Sequence, residues 1–90
     1  MRFSKTTLLG LRPPTSSDRF YVYDDAAPGL ALCVTARGVR TFYYVARVGD
    51  RPVRIKLGRL DALSVDDARR RAAELAGDVA KGRDPAAERR

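Results

Sequence analysis

The chain has 90 residues, with 18 Lys or Arg against 11 Asp or Glu, no histidine and one cysteine, giving a formal net charge of +7. That length bounds it to one small domain with a thin core and little room for a deep substrate pocket, yet at 44% hydrophobic residues it is too apolar to be wholly disordered. The single Cys33 excludes an internal disulfide and a thiolate zinc site, and the lack of histidine removes most catalytic and metal-binding constellations, so no cofactor is expected. Apolar runs of a few residues exclude a membrane span and a signal-peptide core, and the compartment reads as cytoplasmic.

Residues 1–19 contain Gly10, Pro13, Pro14 and the polar run from Thr15 to Asp18, the composition of a loop. They are expected to form a basic N-terminal arm, carrying Arg2, Lys5, Arg12 and Arg19 against Asp18. Phe20 to Tyr23 is rich in strand formers and predicts a short strand, which Pro28-Gly29 then turns. Leu30 to Thr35 alternates, with Leu30, Leu32 and Val34 on one face and Ala31, Cys33 and Thr35 on the other. Thr41 to Val48 and Val53 to Leu57 predict two further strands, joined at Gly49-Asp50.

Ser64 opens a helix, with Asp67 completing a Ser-x-x-Asp capping pattern and Asp66 and Asp67 placed where the helix dipole favours anions. Val65, Ala68, Ala72, Leu75 and Val79 make a narrow apolar stripe whose small central residues let the helix lie close on a sheet. Asp66 with Arg70 and Asp67 with Arg71 have the i,i+4 spacing of surface ion pairs. Gly82 suits the position after the helix, and Pro85 prevents continuation. The expected fold is α+β: a three-stranded antiparallel sheet, four-stranded if Phe20 to Tyr23 joins it, packed against one C-terminal helix.

Charge is unevenly placed. Arg37 to Arg59 holds seven Lys or Arg and one Asp, whereas the acids and bases from Ser64 to Lys81 cancel. If the helix covers Leu32, Val34, Phe42, Tyr44, Ile55 and Leu57, alternation leaves Tyr43, Arg47, Arg54 and Lys56 together on the open face. A one-signed face on a small sheet suits a polyanion, and the major groove of duplex DNA admits a two-stranded β-ribbon. Arg47, Arg54 and Lys56 are the leading contact candidates, with Arg40 and Tyr43 at the margin; the basic arm is a further candidate for tracking the backbone or a minor groove. The bland alternative is a solvated sheet that keeps its cations outward for solubility. The tyrosines at 21, 23, 43 and 44 lie in strands, where packing explains them, and no histidine supports a tyrosine nucleophile. Asp24-Asp25 and Asp66-Asp67 lack the spacing of a calcium loop and read as a turn and a helix start.

Taken in order, these pieces resemble the N-terminal arm-type DNA-binding domain of phage and genomic-island tyrosine recombinases (integrases). The resemblance rests on Asp25, Pro28, Gly29, Leu30, Leu32 and Val34 in the first long strand, and on Gly38 and Phe42 entering the next. It continues through a turn near Arg47, Leu57-Gly58-Arg59, Leu63-Ser64 with Ala68 and Arg69, and Gly82, Asp84 and Pro85 at the end. Cys33 and Ala46 depart from the pattern, standing where relatives often carry a basic or polar residue and an aromatic.

The resemblance implies a sheet-in-groove module that binds arm-type sites in DNA integration and recombination by a prophage or similar mobile genetic element. It also implies a core-binding and a catalytic domain in a parent recombinase, with no catalysis by this module. The division expected on this basis is an arm at 1–19, the DNA-binding domain at 20–82 and the start of a linker at 83–90. The competing readings are a protein-interaction module that docks a neighbouring integrase protomer or an excisionase-type accessory factor, and a module that binds structured RNA through its basic face.

Overall fold

The computed structural model describes residues 1–83, in which a short helix α1 (Lys5–Leu9) precedes four strands and a closing helix. The strands are β1 (Arg19–Tyr23), β2 (Leu30–Thr35), β3 (Arg40–Val48) and β4 (Arg51–Arg59), followed by α2 (Val65–Ala80). All pairings are antiparallel in the order β1-β2-β3-β4, so Phe20 to Tyr23 does belong to a fourth strand. The β3–β4 hairpin turns at Gly49-Asp50, with Val48 opposite Arg51. Gly49 has φ +62°, and among the described residues only glycines have positive φ, so Asp50 does not, which is the pattern of a II′ turn. Pro52 is tolerated because β4 is an edge strand.

Alternation determines what is buried. Leu30, Leu32, Val34, Phe42, Tyr44, Val53, Ile55 and Leu57 form the sheet's half of the core, and Ala68, Ala72 and Leu75 of α2 lie on them. A register shift between Phe42 and Tyr43 skips Leu57, leaving its side chain in the core. The small residues at 68 and 72 are essentially inaccessible, so the helix lies close, while Val65 and Val79 at its ends are half-buried.

Ser64 and Gly82 cap the two ends of α2 as the sequence predicts, while the Asp67 carboxylate, expected to complete the capping pattern, pairs with Arg70. The Ser64 side chain accepts from the Asp67 amide at 3.1 Å. At the other end the Gly82 amide donates to the Val79 carbonyl and the Arg83 amide to the Asp78 carbonyl, with Gly82 at φ +79°, a Schellman motif. The Pro85 stop and the expected linker lie, from residue 84 onward, outside the described residues.

Two local expectations change. The helix ion pairs form at i,i+3 rather than i,i+4: Asp67 meets Arg70, and Asp66 lies 3.9 Å from Arg69. Arg71 turns to the sheet and donates to the Leu57 carbonyl at 3.2 Å. The second change is in the N-terminal segment, which is docked instead of extending as a loop. Ser4 caps α1 by accepting from the Thr7 amide, and Phe3 and Leu8 insert into the core. A helix of five residues is too short to show periodicity in sequence, and it persists because two apolar side chains are buried with it.

The Asp24 carboxylate fastens this segment. It is buried after β1 and accepts from the Phe3 amide at 3.1 Å, the Ala26 amide at 3.1 Å and Arg69 Nε of α2 at 2.8 Å. Arg69 Nη2 also donates to the Phe3 carbonyl at 3.0 Å, so one ion pair joins the N-terminus, the β1–β2 turn and α2. Burial alone would raise the Asp24 pKa, but the hydrogen bonds from Arg69, Phe3 and Ala26 outweigh it and hold the carboxyl below its ordinary value. The pair therefore contributes fully above the unfolded-state value of about 4 and loses that contribution as pH falls below it toward the depressed folded value. Asp24→Asn is expected to cost about 2 kcal/mol near neutral pH and to flatten the acid limb of the stability curve, measured by urea unfolding across pH.

Gly29 sets the close approach of the β1–β2 turn to β3. It has φ +86°, its carbonyl accepts from the Val45 amide at 2.8 Å, and an added Cβ would stand 2.6 Å from Tyr44 Cε1. Gly29→Ala is expected to destabilise the fold by more than about 1 kcal/mol in a thermal or urea melt, with Gly10→Ala as an unstrained control.

Candidate nucleic-acid interface

On the face away from α2, the strand register lines up Arg19, Tyr21 and Tyr23 of β1 with Ala31, Cys33 and Thr35 of β2. Next come Thr41, Tyr43, Val45 and Arg47 of β3, and then Pro52, Arg54 and Lys56 of β4. These strand positions include no carboxylate. Ala31, Cys33 and Thr41 are buried although no helix covers them. Tyr21 stands opposite Cys33, and Ala31 has Tyr23 on one side and Tyr43 on the other, so the larger side chains of the neighbouring strands close over the small ones. This burial makes Cys33 a packing residue.

The small side chains of β2 also let groups from the two sheet edges meet. Arg54 Nη1 of β4 donates to the Tyr21 hydroxyl of β1 at 2.9 Å. The Arg54 guanidinium carbon lies 5.8 Å from the centroids of both Tyr21 and Tyr43, whose rings meet edge-on at 6.1 Å and 66°. Each cation–π contact at such an exposed site is worth roughly 0.5–1 kcal/mol, so the guanidinium is held while its outer edge stays in solvent.

Lys56 stands opposite Tyr43 and is exposed; Arg47 is exposed and steadies the turn by donating to the Asp50 carbonyl at 3.2 Å. None of Arg47, Arg54 and Lys56 forms an ion pair among the described residues. Their charge is therefore not cancelled locally. Arg59, opposite Thr41, pairs with Asp61 at 3.1 Å.

Of the five sequence candidates, the structure brings together Tyr43, Arg47, Arg54 and Lys56. Arg40 is separate. It stands opposite Val34 and donates to the carbonyls of Leu8 (3.1 Å), Leu9 (3.2 Å), Leu11 (2.6 Å) and Gly38 (3.2 Å), closing the end of α1. Tyr21 joins the site although sequence reasoning treats it as packing. The alternation of Arg19, Tyr21 and Tyr23 against Phe20 and Val22 was its available signal.

The described residues offer little for other chemistry. No group of three or more His, Cys, Asp or Glu among them is placed to hold a metal ion. A cleft of about 500 Å³ lies between Phe3 and the β4–α2 loop, but Asp61 and Arg69 on its wall are engaged in ion pairs. No helix among the described residues is long and apolar enough to cross a membrane.

The sequence model of the Arm DNA-binding domain family matches residues 3–90. The match spans nearly the whole chain, and the protein belongs to this family, the N-terminal domain type of tyrosine recombinases. It begins at Phe3, so the docked segment lies within the matched region. No curated protein matches the chain.

The geometry separates arginines that hold the fold from those that face solvent. Lys56→Ala is expected to change stability by about 0.5 kcal/mol or less and Arg54→Ala, which gives up two ring contacts, by roughly 1–2 kcal/mol, while both weaken binding to duplex DNA. Arg40→Ala leaves the part-buried Leu11 carbonyl without its donor and frees the end of α1, and is expected to cost roughly 1–3 kcal/mol. Thermal melts and DNA titrations on the three variants check this; early melting with normal binding in Lys56→Ala would mean that the faces are misassigned.

Proposed function

We propose that this protein binds arm-type duplex DNA sites through the open face of its sheet, as the DNA-binding module of a site-specific tyrosine recombinase. The observation that supports the reading best is the one-sidedness of the sheet. One face is sealed by α2 and the N-terminal segment, and the other presents Arg47, Arg54 and Lys56 with no carboxylate among its strand positions. The β3–β4 hairpin is the kind of two-stranded ribbon that a major groove admits. With its edge strand leading, Arg54 and Lys56 approach base edges and phosphates from the middle of β4, and Arg47 meets the backbone near the turn. Exposed Arg2, Lys5 and Arg12 extend positive charge along the N-terminal segment, where a phosphate backbone would benefit from them.

In this reading the module localises and orients a recombinase during integration, and strand cleavage and joining belong to a catalytic domain of the parent protein. Neighbouring integrase protomers or an excisionase-type factor would meet it on surfaces other than the open face.

Because a module this small buries limited surface, its affinity for duplex DNA should be weak and dominated by phosphate contacts. With about three to five such contacts, log K is expected to fall against log salt with a slope of roughly −3 to −4.5. Fluorescence anisotropy over a salt series, on matched DNA and RNA duplexes, checks both slope and preference. A flat salt response would contradict the reading, and so would tighter binding to RNA.

A further inference from the structure

The placement of Arg54 carries more information than its charge. A phosphate contact needs only a cation within range, which a mobile lysine such as Lys56 supplies. Arg54 is restrained three ways: by the hydrogen bond to the Tyr21 hydroxyl and by the rings of Tyr21 and Tyr43. Tyr21 comes from the far edge of the sheet, and β2 gives it passage only because Ala31 and Cys33 are small. One Nη1 donor is spent on Tyr21, and the other guanidinium donors have no acceptor among the described residues. Such restraint gains nothing against a phosphate, which accepts from many directions. It matters for a planar acceptor pair that must be met in-plane. In the major groove that pair is guanine O6 and N7, whereas adenine presents a donor at N6 that would oppose an arginine. Fixing the fork beforehand also reduces the ordering cost on binding.

We propose that Tyr21 is a positioning residue that, with Tyr43, holds Arg54 as the guanine-reading fork of this surface, leaving Lys56 and Arg47 to phosphates. The inference rests on the sheet-face reading of DNA binding given above. It predicts that sequence preference and overall affinity separate on different residues. Arg54 governs one base position, Tyr21 governs how strongly that position is read, and Lys56 governs affinity for all sequences alike.

The experiment is an in vitro selection from duplex DNA with a fully randomised centre, run on the wild type, Arg54→Lys, Tyr21→Phe and Lys56→Ala, with a thermal melt of each. The wild type is expected to enrich a motif containing a guanine at a fixed place. Arg54→Lys keeps the charge and should lose roughly tenfold of the preference at that position while retaining the rest of the motif. Tyr21→Phe keeps the ring and should weaken the same position by a smaller factor, with unchanged melting. Lys56→Ala should lower affinity without altering the motif. If Arg54→Lys and Tyr21→Phe keep the guanine at full strength, the inference is overturned and the sheet-face reading stands. Loss of the entire motif together with early melting in Tyr21→Phe would make Tyr21 structural and also overturn it. A wild type that enriches no motif and binds no duplex removes the sheet-face reading and the inference together.

Discussion

A single helix covers only one face of a four-stranded sheet, and most of this structure follows from that constraint. The covered face has to exclude water with few residues, so α2 presents Ala68 and Ala72 to the sheet and lies close on Phe42 and its neighbours. The helix is still too narrow for the whole core. Phe3 and Leu8, held beside it by the Asp24–Arg69 pair, complete the seal. The uncovered face must be compatible with water, yet it cannot leave the middle of β2 bare. Tyrosines from the neighbouring strands close over Ala31 and Cys33 there, and cations populate β4.

Arginine is the residue type through which both faces are organised, and it is used in opposite ways. Arg40, Arg69 and Arg71 spend their donors on main-chain carbonyls or on a buried carboxylate, tying loops and helices to the sheet. Arg54 instead holds its guanidinium against aromatic rings with an edge in solvent, and Arg47 lies at an exposed turn. Net charge alone therefore overstates how much positive potential is available to a polyanion. Only cations without a local carboxylate or a set of carbonyls remain available to a polyanion, and Arg47, Arg54 and Lys56 on the open face are among them.

The architecture was legible in the sequence because its signals are local and repeat. Period-two alternation in Leu30 to Thr35 and Val53 to Leu57, the Gly49-Asp50 turn, Ser64 and Gly82 each have a short-range cause, and each is in place. Long-range contacts were not legible. Nothing local announces that Asp24 accepts from Arg69, 45 positions away, or that Arg40 reaches back 32 positions to the end of α1. The same limit applied to Tyr21, whose partner Arg54 lies 33 positions on and three strands across. Four of the candidate contact residues share a face because alternation fixed them relative to one another. Arg40 left that set because it lies on the other parity, opposite Val34.

The central claim is that duplex DNA meets the open face of the sheet. The most direct test is an NMR titration of isotopically labelled protein with duplex DNA, following arginine Nε–H groups and tyrosine ring resonances. These report on faces, whereas backbone amides within a strand do not. The account predicts that Arg54 Nε–H and the rings of Tyr21 and Tyr43 shift first and most, while Arg69, Arg40 and the buried Tyr44 ring stay in place. Shifts concentrated on Arg69, Arg70 and Arg71 of α2, with the Tyr21 and Tyr43 rings unmoved, would contradict it.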